Sequence, residues 1–363
     1  MAETINVLMC GGRRTGKTSI MAAMQKDMQN MFAGGSIVLQ MENSSSLVLY
    51  QQEQERLFSV DNLDKMSYYA SDNETGEREE YGCRVTLRGD YKSPISLNFI
   101  DIPGEWFVTV EHEKEVQKLM EDSQILVIAV DSPHLVEKDG CYHEVFNRPT
   151  EITDMIKRAF QGNEVCRLVL FVPVKCELYE NNRAAGRRKN MKDLLACVKD
   201  GYSDLLTYLE TSQKKNCTVA VSPCITMGGL EFLQFVAPVD EDGQLVTDRN
   251  GKPLPDIMIN TRTGNRDMMW LSEYTYLYDE NGDHYYRPAN CAQPLLNILL
   301  FFVAMGRLRA RRGGFLGRLL GRLFHCLPKQ EILDNSKADL LRTLKTSAEE
   351  GYEIINDPLG MMK

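Results

Sequence analysis

The chain has 363 residues, of which 43% are hydrophobic and 26% are charged. That balance is ordinary for a soluble globular protein, and the length allows one large domain or two small ones. The formal net charge of −9 argues against general nucleic-acid binding, which requires a basic surface.

Cysteine usage and hydropathy predict a cytoplasmic protein. The ten cysteines form no C-x-x-C pair and no metal-ligand spacing, so reduced thiols are the simplest interpretation. No secretory leader is visible, because Glu3 and Asn6 interrupt any apolar run at the start of the chain. The longest apolar run, 295–305, is too short to span a bilayer.

The first motif is Gly-Gly-Arg-Arg-Thr-Gly-Lys-Thr at residues 11–18, which fits the phosphate-binding loop pattern of Gly, four residues, Gly-Lys-Ser/Thr. Residues 5–10 predict a short buried strand before it, and residues 19–24 predict the first turns of a helix after it. This arrangement aims backbone N–H groups and a helix N-terminus at phosphate. Lys17 is expected to reach the β- and γ-phosphates, and the Thr18 hydroxyl to ligate Mg²⁺.

A polar stretch from residue 40 to residue 80 separates this motif from the next. It is longer than an ordinary connection, which predicts either a functional loop or a loop that contains a helix. Residues 51–58 look helical within it.

The second motif ends a predicted pair of strands. Residues 81–87 alternate as a half-buried strand does, and residues 95–100 make the next strand. Two strands joined so closely must be antiparallel. The second strand runs into Asp-Ile-Pro-Gly-Glu at 101–105. Asp101 is expected to help hold Mg²⁺ opposite Thr18, and Gly104 to present its N–H to a γ-phosphate.

Strands and helices then alternate, which predicts a sheet built from βαβ units with right-handed crossovers. The strands are near-continuous apolar runs, as central parallel strands are. The predicted strands are 124–131, 167–174 and 217–221, and the predicted helices are 111–120, 153–160 and 191–209.

Residues 236–290 change character. Turn signals at 240–243, 249–251 and 280–282 separate short segments rich in Val, Ile, Thr and Tyr, which predicts one or two β-hairpins. Calcium binding by the acidic residues is disfavoured because their spacing does not fit a calcium loop.

The last part of the chain contains a strongly apolar helix and a basic segment. Pro294 opens the helix, which continues through 295–304. The segment 306–324 carries six arginines and no acid, with apolar residues at helical spacing and glycines at 313, 314, 317 and 321 that weaken any helix. It is open to three interpretations: a core-packing helix with solvated arginines, a docking site for an acidic partner, or a contact with an anionic membrane surface. Residues 330–355 predict a final polar helix and then a tail.

This order of motifs resembles the Ras-like superfamily of P-loop GTPases, the translation-factor-related class. The antiparallel hairpin before the D-x-P-G motif sets that class apart from P-loop ATPases with purely parallel sheets. Within it, 101–105, the degenerate Lys175-x-Glu177 and the Pro294 helix look like the double-GTPase group of bacterial conflict systems. The resemblance covers residues 4–232, and 294–305 is similar to the last helix of the fold.

The resemblance implies a guanine-nucleotide site. Lys175 would lie along the base and Glu177 would accept hydrogen bonds from the guanine. Thr75 is the best candidate for the first-switch threonine that joins Mg²⁺, together with Thr18 and Asp101. The loop expected to wrap the phosphates comprises Gly11, Gly12, Arg13, Arg14, Thr15, Gly16, Lys17, Thr18 and Ser19, and the residues expected to close over the base are Ser222, Pro223 and Cys224.

The chain departs from the family pattern at three places. Val174 replaces the Asn that ties the base loop to the phosphate loop, and Glu177 replaces the usual Asp. Glu105 stands where many relatives have a water-orienting Gln: it would repel a γ-phosphate when ionised, act as a base with a raised pKa, or point away. Arg13 and Arg14 lie inside the loop, where Arg13 would act as an internal arginine finger or contact solvent.

Together these features predict a three-layer P-loop sandwich with a Ras-like mixed sheet that has one antiparallel strand, a β-hairpin insertion and a helical C-terminal extension. The expected divisions are a GTPase domain at 1–235, an insertion at 236–293, the last helix of the fold at 294–305 and an extension at 306–363. The expected activity is slow, Mg²⁺-dependent GTP hydrolysis that regulates a partner, which would dock on the insertion or the Arg-rich segment. The alternatives are a nucleotide-binding scaffold without turnover and an ATPase.

Overall fold

A computed structural model describes residues 3–31, 37–41, 67–69, 77–87, 90–180, 189–238, 240, 244–276, 288–312 and 330–362. The predicted helix at 51–58, the candidate switch residue Thr75 and most of the Arg-rich segment lie outside these residues.

The described chain alternates strands and helices in the predicted order. The strands are β1 Glu3–Cys10, β2 Ile37–Met41, β3 Ser67–Tyr69, β4 Glu79–Leu87, β5 Asp90–Asp101, β6 Ile125–Asp131, β7 Arg167–Val174, β8 Cys217–Val221, β9 Leu230–Val236, β10 Asp256–Asn260, β11 Asn265–Met269, β12 Leu271–Tyr276 and β13 Glu353–Asn356. The helices are α1 Lys17–Met31, α2 Glu113–Asp122, α3 Ser132–Val136, α4 His143–Asn147, α5 Pro149–Phe160, α6 Met191–Gly201, α7 Ser203–Thr211, α8 Gln293–Arg312 and α9 Gln330–Thr343.

The central sheet has eight strands in the order β13-β8-β7-β6-β1-β5-β4-β2. Strands β8, β7, β6, β1 and β5 are parallel, and β4 pairs antiparallel with β5, as the short connection requires. The predicted fold class is therefore confirmed. The sheet also gains an antiparallel strand that the sequence did not predict, because β13 pairs with β8 at the far edge.

Helices cover both faces of the sheet, so the apolar strands are buried on two sides. On β1, Val7 and Met9 join a core with α1, α8 and α9, whereas Leu8 and Cys10 join a core with α2, α5, α6 and α7. All seven residues of β6 and all eight of β7 are buried. The predicted helix at 191–209 is two helices, since α6 ends at Gly201 and α7 begins at Ser203.

The region after β8 forms hairpins, as predicted, in two small sheets. Strand β12 lies between β9 and β3 in one sheet, and β10 pairs with β11 in the other. The predicted turn at 249–251 is present, closed by the bridge between Thr247 and Pro253. Strand β9 begins at Leu230, six residues before the expected start of this region.

The C-terminal part packs on the central sheet. Helix α8 continues past the expected boundary at 305 and runs to Arg312. Arg307, the one arginine of the Arg-rich segment with a described side chain, pairs with Asp334 of α9 at 3.0 Å. The expected tail contains β13. Among the helices described, none combines the length and the apolar character needed to cross a bilayer.

Candidate nucleotide site

Three positions of the phosphate loop require glycine. Two of them need an unusual backbone conformation, and the third has no room for a side chain. Gly11 and Gly16 have φ values of 148° and 92°, which side chains rarely adopt. A Cβ on Gly12 would lie 1.9 Å from the carbonyl oxygen of Phe146. The backbone beneath the loop therefore excludes any larger residue at position 12.

Lys17 begins α1 and turns back over the loop. Its ammonium donates hydrogen bonds to the carbonyl oxygens of Gly11 at 3.2 Å and Gly12 at 3.0 Å. Burial lowers the pKa of Lys17, while the charges of Asp101 and Glu105 act in the opposite direction. These two carboxylates therefore lie close enough to Lys17 to stabilise its charge. Thr15 locks the turn by donating to the Gly12 carbonyl at 2.9 Å.

Thr18 and Asp101 meet at the end of β5. The register of β1 against β5 places Asp101 opposite Met9, and the Thr18 hydroxyl donates to Asp101 Oδ2 at 2.7 Å. The second carboxylate oxygen, Oδ1, is buried and has no hydrogen-bond partner among the described residues. Burial raises the pKa of Asp101, and Lys17 and Thr18 offset part of this rise.

This pair fits a divalent cation. An uncompensated carboxylate oxygen in a buried site is costly, and carboxylate and hydroxyl oxygens are the ligands that Mg²⁺ accepts beside phosphate. Thr18 and Asp101 are the described residues that would hold the ion, which would offset the negative charge of the phosphates.

Gly104 lies directly against the loop. A Cβ on this residue would be 2.1 Å from the amide nitrogen of Arg13, so only glycine allows the two backbones to approach so closely. Gly104 begins a short turn, 104–107, in which the predicted Glu105 is half-buried. The predicted sensor of the γ-phosphate and the loop are thus neighbours.

Lys175 joins the predicted base motif to the phosphate loop. Its backbone has a φ of 56° at the end of β7, and its ammonium donates to the carbonyl oxygen of Arg14 at 3.0 Å and to Asp131 Oδ2 at 2.5 Å. The side chain of Lys175 therefore connects the end of β7 to the phosphate loop. Val174 packs beneath Gly16.

Glu177 faces the loop that follows β8. Its side chain is buried, and its Oε1 accepts from the backbone N–H of Gly228 at 3.1 Å. The segment Ser222–Cys224 lies at the end of the neighbouring strand and is also buried. Ser222 N bonds to Phe171 O, and the Ser222 hydroxyl has no partner among the described residues. The structure thus gathers the predicted base residues at one corner of the sheet.

Sequence reasoning missed a buried charge cluster behind Lys175. Asp131 accepts from the backbone of His134 at 3.0 Å and contacts His134 Nδ1 at 2.6 Å. Burial alone would raise the pKa of Asp131, but the charges of His134 and Lys175 and their hydrogen bonds hold it well below its usual range. His134 Nε2 lies 2.7 Å from the carbonyl oxygen of Trp270. The one sequence signal for this cluster was Asp131 itself, the acid that ends the apolar run of β6.

A second missed residue, Asp256, lies in the insertion. It is the first residue of β10, and its carboxylate is 3.1 Å from Arg14 Nη1 and 3.7 Å from Arg13 Nη1. Nothing in the local sequence distinguishes Asp256 from the other acids of the insertion, because its partners lie more than two hundred residues away.

This chain is similar to two solved structures, both of which are described as containing GTP. The signal recognition particle receptor SRb-GTP/SRX complex from Chaetomium thermophilum is 15% identical at a TM-score of 0.36, with 63% of this chain and 93% of that chain covered. The Ski7 GTPase-like domain of S. cerevisiae, bound to GTP, is 11% identical at a TM-score of 0.37, with 79% and 74% covered. Neither a protein-family model nor a curated protein matches the sequence. At these TM-scores the likenesses assign neither a family nor an activity.

Proposed function

We propose that this protein is a cytoplasmic guanine-nucleotide switch that binds GTP with Mg²⁺ and hydrolyses it slowly. The observation that supports this most is the contact between Thr18 and Asp101 beside the phosphate loop, together with an Asp101 Oδ1 that has no hydrogen-bond partner in the described part of the chain. Lys17, with its buried ammonium, supplies the charge that phosphate oxygens require.

The proposed reaction needs no covalent intermediate on the protein. A water oxygen attacks the terminal phosphorus, the bond to the β-phosphate oxygen breaks, and GDP leaves with that electron pair. The water protons pass to phosphate and solvent. Lys17, the loop N–H groups and the N–H of Gly104 stabilise the charge that spreads over the transferred group.

Guanine preference rests on Lys175 and Glu177. The Lys175 ammonium is fixed at its far end by Arg14 and Asp131, which holds the aliphatic stem in place beside the loop. Glu177 lies two residues later and its carboxylate is the group proposed to accept from guanine N1 and N2. Adenine has no hydrogen-bond donors at those positions. It would therefore leave the buried Glu177 carboxylate without the hydrogen bonds that guanine supplies.

We also propose that the switch regulates a partner protein. The segment 102–115 carries Gly104 and is contacted by the insertion: Thr261 Oγ1 accepts from Val110 N at 3.0 Å, and Arg262 donates to Phe107 O at 3.2 Å. The outer face of β10 and β11 exposes Ile257, Ile259 and Met268 by 54–59%. A nucleotide-dependent change in 102–115 would therefore reach an apolar surface suited to a partner.

The resemblance to the double-GTPase group supports a role in a bacterial conflict system. The Arg-rich segment 306–324 is the second proposed docking site, and its basic character suits an acidic partner. We also propose that Thr75 is the first-switch threonine, which joins Thr18 and Asp101 at the Mg²⁺ ion.

Calorimetric titration with GTP, GDP and ATP, each with Mg²⁺, tests the nucleotide assignment. We expect tight binding of GTP and GDP and none of ATP. Lys17→Ala should abolish binding, whereas Lys192→Ala, which removes an exposed lysine that pairs with Glu349, should leave it unchanged. Equal binding of ATP, or binding of ATP alone, would contradict the guanine assignment.

Phosphate release under single-turnover conditions tests hydrolysis separately. Slow release of phosphate from bound GTP is expected. Intact GTP binding with no release over hours would favour the scaffold without turnover.

A further inference from the structure

Strands β10 and β11 and the turn between them, residues 256–269, form a unit that is called the ribbon below. Its inner face packs on Phe146 through Met258 and Met269, and Phe146 is the residue whose carbonyl supports Gly12 of the phosphate loop. Asp267 forms an ion pair with the buried Arg148. The ribbon is thus fixed to the segment that lies beneath the phosphate loop.

One end of the ribbon reaches the loop itself. Asp256 places its carboxylate 3.1 Å from Arg14 Nη1 and 3.7 Å from Arg13 Nη1. The Asp256 side chain is 27% exposed and those of Arg13 and Arg14 are 22% and 9% exposed. A partly buried carboxylate between two guanidinium groups competes for the same donors as a phosphate group does.

The two arginines differ in their position along the loop. The carbonyl of Arg14 is bound by Lys175, on the side of the base motif. The amide of Arg13 lies against Gly104, on the side of the proposed γ-phosphate sensor. Arg13 is therefore the arginine whose guanidinium can serve the terminal phosphate. An arginine at that point stabilises the charge of the transition state.

We propose that Arg13 is a catalytic residue for GTP hydrolysis and that Asp256 restrains it by holding its guanidinium on the ribbon. This inference rests on the proposed function and adds its regulation. When Asp256 is withdrawn, Arg13 donates to oxygens of the transferred phosphoryl group while water attacks the phosphorus and GDP leaves. A partner that displaces the ribbon would accelerate hydrolysis by the same route.

Asp256→Asn is the decisive variant, because the amide keeps the shape of the side chain and removes its charge. We expect it to raise the single-turnover rate of GTP hydrolysis about tenfold and to tighten GTP binding relative to GDP. Arg13→Ala should lower the rate, and Arg13→Ala/Asp256→Asn should remain as slow as Arg13→Ala. Asp204→Asn is the matched control: it removes the charge of an exposed carboxylate on α7 that pairs with Lys157, far from the ribbon, and should leave the rate within about twofold of the wild type.

The outcomes separate this inference from the proposed function. If the wild type binds GTP but Asp256→Asn hydrolyses it no faster, Arg13 is not restrained and the inference is overturned while the switch stands. A faster rate that persists in the double variant would also overturn it, since the gain would not pass through Arg13. Failure of the wild type to bind GTP would overturn the proposed function and this inference together.

Discussion

At the scale of single residues, the environment of the Asp101 carboxylate favours ligand binding over stability. Its carboxylate is fully buried, one oxygen is bonded to Thr18, and the other has no partner among the described residues. Such an oxygen does not stabilise the fold by itself, because burying a polar atom without a hydrogen bond is costly. A bound cation would offset that cost, so this carboxylate is better suited to a ligand than to stability.

The raised pKa of Asp101 predicts a pH dependence of Mg²⁺-assisted binding. Only the ionised carboxylate binds the cation, so the contribution of Mg²⁺ to GDP affinity should fall as pH is lowered through this raised pKa. The fall should occur at a higher pH than for an ordinary Asp. In the metal-free protein the sign is opposite: folding favours the protonated acid, so the unfolding free energy rises as pH falls through the same range.

Fluorescence titration of labelled GDP at several pH values, with Mg²⁺ and with a chelator, measures this dependence. Asp101→Asn should remove the pH-dependent part, and the chelator arm should show little of it in the wild type. A Mg²⁺ effect in the wild type that is constant down to the pKa of an ordinary Asp would contradict the prediction.

Gly12 carries a second prediction at this scale. Gly12→Ala places a Cβ 1.9 Å from Phe146 O, a contact with backbone that a rotamer change cannot relieve. We expect the unfolding free energy to fall by about 1–3 kcal/mol and nucleotide affinity to fall with it. Urea denaturation and GDP titration of the same variant measure both, and an unchanged midpoint would show that the loop moves away from Phe146 freely.

At the scale of elements, apolar patterning predicted the sheet well. Strands β7 and β8 were predicted with the bounds they have, because continuous apolar runs bounded by polar residues have few alternatives. The break between α6 and α7 was missed because helical spacing continues across Tyr202. Strand β13 was missed because four residues form a strand here only by pairing with β8.

The candidate site was predictable to the same limit. Residues in compact motifs, such as Lys17, Thr18 and Asp101, were identified because their chemistry depends on local spacing. Asp256 and His134 were not, since each acts through contacts with segments remote in sequence. Pairings of that kind are set by tertiary packing, which a single sequence does not display.

Helix α8 offers a prediction at its own scale. Gly306 lies inside this helix, and a Cβ there would meet the Leu333 side chain of α9 at 3.4 Å, an ordinary contact. Gly306→Ala should therefore raise the unfolding free energy by about 0.5–1 kcal/mol. Thermal or urea denaturation of this variant and of Gly12→Ala measures the effect. The two variants form a matched comparison, because the added Cβ is crowded at position 12 and has room at position 306. A loss of stability in Gly306→Ala would mean that α8 and α9 are packed more tightly than the structure shows.

At the scale of the whole molecule, residues 330–362 share a core with β1, the strand that leads into the phosphate loop. Leu333, Leu340 and Met361 are buried in the cluster that contains Val7 and Met9 of β1. The Tyr352 hydroxyl donates to Asn297 Oδ1 of α8 at 2.8 Å. The C-terminal segment is therefore expected to unfold together with the nucleotide site.

Leu340→Ala tests whether the C-terminal segment unfolds together with the nucleotide site. Leu340 is 1% exposed, so its truncation should cost about 2–5 kcal/mol and lower the unfolding midpoint without splitting the transition. Leu245→Ala, which changes a side chain that is 42% exposed in the insertion, should stay within about 0.5 kcal/mol of the wild type. Two separate transitions in Leu340→Ala, with nucleotide binding retained between them, would refute a common core.

The pairing of β13 with β8 bears on how the chain is made. Until residues 353–356 pair with it, β8 is an edge strand whose outer backbone N–H and C=O groups are unpaired. An exposed edge of this kind can pair with another chain. During synthesis the five parallel strands are complete long before their edge is covered. Truncated chains that end before β13, and ribosome-bound chains of that length, should therefore associate with one another through the β8 edge, whereas the chain that includes β13 protects it.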